Sequence, residues 1–104
     1  EFISYINKFD SEAIIILHSD HGHAFYTDFQ LPLVKWDKKS INGRSSILLA
    51  IKASKECRSK AYKNISPVNI FRLVFSCINN SDPQFLEDMH YIHHDEVSEL
   101  SLIE

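Results

Sequence analysis

Glycine is scarce in this chain of 104 residues: there are 2, beside 3 prolines, 2 cysteines, 1 tryptophan and 1 methionine. Collagen-like and linker-like polymers need far more glycine and proline, so both are excluded. Long apolar runs are missing too. None is longer than the run from Ala13 to Leu17, well short of the roughly 20 residues that a membrane-spanning helix requires. No basic start followed by an apolar stretch opens the sequence, so no secretory leader is expected in these residues. A basic surplus is also absent, with 11 Lys and Arg against 14 Asp and Glu and a net charge of −3. A protein that neutralises phosphates along a nucleic acid carries the opposite balance, so nucleic acid is not an expected partner. Cys57 and Cys77 allow at most one disulfide and form no CxxC pair of zinc ligands. Nothing around them builds a stabilised thiolate, so they are expected to be chemically inert.

What is present suits a folded protein. Hydrophobic residues make up 44% and charged residues 24%, the ordinary proportions of a globular domain. The length fits a single small α/β unit over residues 1–104, or a piece of a larger domain, ending in an acidic tail over about 93–104. The 6 histidines are the compositional excess.

Hydrophobic spacing places the elements. Phe2, Tyr5, Ile6 and Phe9 recur at helical intervals. Ala13 to Leu17 is mostly β-branched and lacks polar alternation, which predicts a strand buried on both faces, and Ile47 to Ile51 is a second apolar run that reads the same way. Residues 23–43 read as a long irregular loop interrupted by Pro32, and Lys52 to Asn64 as a polar surface connection. Ser66-Pro67 opens the clearest helix, with serine at the N-cap and proline at the first helical position. Val68, Phe71, Phe75 and Ile78 form its apolar stripe, and Asn79-Asn80 its stop. Met89 to Ile92 suits a short edge strand. Val97, Leu100 and Ile103 recur at near-helical spacing in a segment that reads as a terminal helix or a frayed tail. The alternation predicts an α/β fold, a small and mostly parallel sheet with flanking helices. So thin a sheet leaves edges and apolar surface uncovered, which favours a fragment of a larger domain or self-association.

The chemistry concentrates in Ser19-Asp20-His21-Gly22, at the end of the first expected strand. Ligands bind outside the carboxyl ends of strands in open parallel sheets. Asp20 offers a carboxylate oxygen and His21 an imidazole nitrogen, both ligands for divalent metals. Gly22 would let the backbone turn so that both side chains face one way. Alternatively, Asp20 caps the turn and His21 bonds the backbone. A Ser-His-Asp triad is a poor reading, because neighbours in sequence do not converge as a triad requires.

The residues carry a resemblance. Ile14 to Gly22, with its Asp20-His21-Gly22 end, resembles the metal-binding strand end of the sulfatase branch of the alkaline phosphatase superfamily. Arg44 to Ala50 is similar to that family's next strand. Ile65 to Phe75 is similar to its following helix, close to a Ser-Pro-Val-Asn-x-Phe-Arg pattern of bacterial membrane-anchored sulfatase-like proteins. Gln84 to Asp88 and Tyr91 resemble the segment that closes the domain, so the likeness spans roughly 13–91.

The resemblance implies the C-terminal portion of an alkaline-phosphatase-like three-layer fold. It implies a hydrolase or transferase in which a Ser, Thr or modified Cys attacks a sulfate or phosphate ester beside divalent metal. Asp20 and His21 inherit the role of metal ligands for zinc, magnesium, calcium or manganese. The nucleophile belongs to upstream strands that these residues do not include, so no hydrolysis is expected from this chain alone. The implied partner is the N-terminal portion of the domain, and the implied setting is an extracytoplasmic catalytic domain of a membrane-anchored bacterial protein.

Catalytic metal sites usually take three protein ligands, and His18, His23 and Asp28 are the nearby candidates for a third. The three imidazoles of His18, His21 and His23 could instead meet on a metal by themselves. His90, His93 and His94 form a second cluster, in a segment that reads more simply as solvated. Arg44 and Arg72 are either anion contacts or structural, Arg44 holding the loop and Arg72 lying along the apolar helix face. Phe25, Phe29 and Trp36 either line a cleft or pack the loop. The competing functional expectation is a non-catalytic α/β module that self-associates or binds zinc through its histidines.

Overall fold

The computed structural model describes residues 1–92 and the backbone of residues 101–102. Its helices are α1 (Phe2–Phe9), α2 (Lys38–Ser45), α3 (Lys55–Ser59) and α4 (Pro67–Ile78), and its strands are β1 (Ile15–His18), β2 (Leu49–Lys52), β3 (Tyr91–Ile92) and β4 (Ser101–Leu102). The chain is mixed α/β, as its pattern predicts. The sheet is arranged differently from the expectation. β1 pairs with β2 and β3 with β4, giving two separate two-stranded sheets among the described residues. In the second, Tyr91 stands opposite Leu102 and Ile92 opposite Ser101, antiparallel.

In the first sheet, the Ser19 N–H just past β1 donates to Leu48 O just before β2 at 3.0 Å. The end of one strand therefore faces the start of the other, the antiparallel sense. The long connection doubles back at Gly22, whose N–H donates to Arg44 O at 2.8 Å, so the chain re-enters at the end where it left. The expected mostly parallel sheet does not form from these strands. Nor is either apolar run buried on both faces: Leu17 and Leu48 are exposed, and β1 and β2 hold no fully buried residue. One pair of strands cannot cover its own faces.

Two compact units make up the chain, one of residues 1–16 and 50–88 and the other of residues 17–49 and 89–104. The first is organised by α4. Ser66 caps it by accepting the Asn69 N–H, Pro67 occupies its first turn, and Asn80 follows its end with φ 51°. These are the expected stop and start signals. The face it buries is not the expected stripe. Asn69, Ile70, Leu73, Val74 and Ser76 point inward, while Val68, Phe75 and Ile78 are each about 60% exposed and Phe71 somewhat less. Both sides of α4 are apolar, so burial of one leaves the other in water.

Two covalent and polar ties decide which face turns in. Cys77 on α4 is disulfide-bonded to Cys57 on α3, a separation of 20 residues. The Lys52–Asn64 segment is thus more than a connection, because it holds α3, capped by Ser54 accepting the Cys57 N–H. Closing that loop restricts the unfolded chain. Reduction, or the double substitution Cys57→Ser with Cys77→Ser, is expected to lower unfolding stability by about 3 kcal/mol in urea. An unchanged urea midpoint would show that the bridge constrains nothing.

The second tie is Asn69, which is fully buried. The two N–H groups of its amide are shared among three acceptors, Leu86 O at 2.8 Å, Asp88 Oδ1 at 2.9 Å and the Tyr62 hydroxyl at 2.7 Å, and its Oδ1 accepts the Leu86 N–H at 2.9 Å. Arg72 adds a bond to Gln84 O at 2.8 Å, rather than only lying along the apolar face. The Tyr62 hydroxyl also donates to Asp88 Oδ2. The Ser66 hydroxyl first, and then the Tyr62 hydroxyl, hold the Asp88 carboxyl below the usual carboxylate range. Burial first, then the Asp88 carboxylate, push the Tyr62 phenol up.

α1 forms as its spacing predicts, with Tyr5 and Phe9 rings 4.7 Å apart, but it buries no residue. Lys52 Nζ donates to Ser11 O and Ala13 O at 2.6 and 3.0 Å. In the second unit, residues expected to be irregular contain α2 and a single turn of 3-10 helix over Leu33–Lys35. Val97, Leu100 and Ile103 lie outside the described residues. Ser101–Leu102 is strand rather than helix.

Candidate metal centre

α2 lacks a strong local helix signal, since Ser40, Asn42 and Gly43 are weak helix formers. Its start is fixed by Asp37, whose Oδ1 accepts the Ser40 N–H at 2.7 Å. That backbone bond is the main cause of a lowered Asp37 pKa. The Ser40 hydroxyl donates to Tyr26 O at 2.6 Å and ties the preceding loop to the helix. Trp36 is buried, its indole N–H donating to Leu31 O at 3.1 Å and its ring meeting Phe29 edge-on at 5.6 Å. Of the loop aromatics, Trp36 packs in this way, while Phe25 is largely exposed and stacks 5.0 Å from the His23 ring.

The carboxyl end of α2 receives the Asp20-His21-Gly22 bend. Ser19 fixes the near side, its N–H donating to Leu48 O and its hydroxyl accepting the Leu48 N–H at 3.0 Å. Gly22 fixes the far side. A Cβ there would stand 2.0 Å from Gly43 O, 2.6 Å from Ser46 O and 2.8 Å from Arg44 O. Glycine is therefore required by close backbone approach. It does not serve the bend through a left-handed φ, since neither glycine has a positive φ. The other glycine, Gly43, faces it, and a Cβ at Gly43 would meet the His23 ring at 2.6 Å.

This clamp leaves the two candidate ligands side by side in solvent. Asp20 Oδ1 lies 3.7 Å from His21 Nε2, with side chains 87% and 52% exposed. An anionic oxygen and an imidazole nitrogen at that separation fit two neighbouring positions around one divalent ion. The nearby carbonyls at the end of α2 carry the negative end of its dipole, which favours positive charge. His21 Nδ1 lies 2.7 Å from Gly22 O and 2.8 Å from Arg44 Nη1.

The other candidates are occupied differently. Asp28 accepts the Gln30 N–H at 2.9 Å. His23 packs against Phe25 and Tyr26, and His18 Nδ1 lies 3.1 Å from Ser19 O. Among the described residues, no three His, Cys, Asp or Glu gather as a metal-binding group; Asp20 and His21 come together as a pair. His90 is exposed, and His93 and His94 lie outside the described residues. Arg44 joins the bend at a place the sequence does not reveal. Its carbonyl takes the Gly22 N–H, and its guanidinium meets His21 and sits 5.6 Å from the Phe29 ring centre. No described helix is long and apolar enough to cross a membrane. No protein-family model, curated protein or solved structure matches the chain.

Proposed function

We propose that this chain is the C-terminal portion of a sulfatase-like, metal-dependent hydrolase or phosphoester transferase, and that Asp20 and His21 are its contribution to the metal centre. The observation that carries the reading is the 3.7 Å approach of Asp20 Oδ1 to His21 Nε2 on a bend clamped by Gly22. A divalent cation bound there would polarise an ester oxygen and stabilise developing negative charge. Asp20 supplies a negative oxygen, His21 an imidazole nitrogen, and the Gly22–Arg44 and Ser19–Leu48 bonds hold both on one bend.

The rest of such a site, including the nucleophile, comes from residues outside this chain, so the chain alone hydrolyses nothing. The exposed α4 stripe of Val68, Phe75 and Ile78 supports the same reading as a surface that the remainder of the domain, or a second copy, would cover. The Cys57–Cys77 bridge supports an extracytoplasmic setting, where disulfides persist. An alkaline-phosphatase-like layered fold is proposed for the assembled domain.

Zinc titration tests the half-site, because imidazole suits zinc among the candidate metals. Asp20→Ala and His21→Ala should each weaken zinc binding about tenfold or more, equivalent to about 1.4 kcal/mol. Equal affinity in the wild type and both variants would remove the proposal.

A further inference from the structure

Two groups compete for one nitrogen at this site. Arg44 Nη1 stands 2.8 Å from His21 Nδ1, and Gly22 O stands 2.7 Å from the same atom. A guanidinium has only donors and a carbonyl only acceptors. The Arg44 bond therefore requires a lone pair on Nδ1, while the Gly22 bond requires a proton there. A neutral imidazole satisfies one of them at a time, and its choice fixes the other nitrogen. With Arg44 bonded, Nε2 carries the proton and directs an N–H toward Asp20. With Gly22 bonded, Nε2 carries its lone pair beside the Asp20 carboxylate, the form that a cation needs.

We propose that Arg44 is a positioning residue that holds His21 in the Nε2-protonated tautomer, so that its guanidinium and a divalent cation exclude one another. This rests on the half-site reading for the identity of the competitor. Arg44 is suited to the task because its backbone stays in place whichever way its side chain goes: its carbonyl accepts the Gly22 N–H at 2.8 Å. The Phe29 ring, 5.6 Å from the guanidinium carbon, offers the displaced cation a π face. With a cation held at Nε2, the imidazole proton would reside on Nδ1, whose N–H would donate to Gly22 O. One proton changes place within the ring by exchange with water, and the charge on the chain is unchanged.

The test reads the tautomer directly, from nitrogen-15 spectra of the histidine-labelled chain at a fixed pH above the imidazole range. Metal-free wild type should carry the His21 proton on Nε2, and Arg44→Met should carry it on Nδ1. Added zinc should convert the wild type to the Nδ1–H form. Arg44→Met should bind zinc roughly tenfold more tightly, a coupling of ordinary size. Nδ1–H in the metal-free wild type overturns the proposal without any variant, and so does zinc affinity equal or weaker in Arg44→Met. If zinc binds neither protein, the half-site reading fails, while the tautomer difference still supports the Arg44 assignment.

Discussion

Asn69→Ala is expected to lower the unfolding stability of the first unit by about 3 kcal/mol and to release the segment around Leu86. The native side chain is fully buried and bonds to three other residues, through both ends of its amide. Alanine removes those bonds, at about 1 kcal/mol each, from the Leu86 N–H and C=O and from Asp88, and leaves a cavity where a fully buried side chain stood. Asn69→Asp should cost more, because it turns a donor into an anionic oxygen facing Leu86 O and the Asp88 carboxylate. Urea unfolding gives the loss, and hydrogen exchange at the Leu86 amide gives its location. A loss below about 1 kcal/mol with Leu86 still protected would mean that Arg72 and Tyr62 hold the segment by themselves.

Gly22→Ala should be as damaging to the second unit, at about 3 kcal/mol or more, since the added methyl meets three carbonyl oxygens of the backbone at 2.0 to 2.8 Å. None of those oxygens lies on a side chain that can swing aside. Gly43→Ala makes the internal control. Its methyl meets the exposed His23 ring first, which can rotate away, and alanine improves helix propensity by about 1 kcal/mol. Its net change should stay within about 1 kcal/mol of zero. Equal effects of the two substitutions in parallel urea titrations would refute the idea that Gly22 alone is pinned against backbone.

The limits of the sequence reading have physical causes. α1, β1, β2 and α4 announce themselves through contiguous apolar spacing and, at Ser66-Pro67, through a local cap, because those signals need no distant partner. α2 does not, since Ser40, Asn42 and Gly43 are poor helix formers, and the Asp37 cap and the Ser40–Tyr26 bond replace an apolar stripe. The inward face of α4 was equally unreadable. Two apolar faces compete, and the choice depends on Cys57 and on a buried amide reaching Leu86. The sense of the β1–β2 pair depends on where a long connection turns back, which neither strand encodes. At the candidate site, the Asp20-His21-Gly22 run located the bend at a strand end. The reason for its glycine and the reach of Arg44 arise only once the end of α2 lies against it.

Helix α4 holds two neighbouring segments by three unrelated means: a covalent bridge from Cys77 to α3, and an amide clamp at Asn69 and a guanidinium at Arg72 that both hold residues 84–88. The stretch from Asn79 to Pro83 closes the end of the helix and adds a polar tie: the Ser81 N–H donates to Ser76 O at 2.9 Å, and Lys60 Nζ donates to Ser81 O at 3.2 Å and to Asp82 Oδ1 at 3.3 Å. A backbone cut between Lys60 and Ile65 would leave two pieces travelling as one molecule until a reductant parts them.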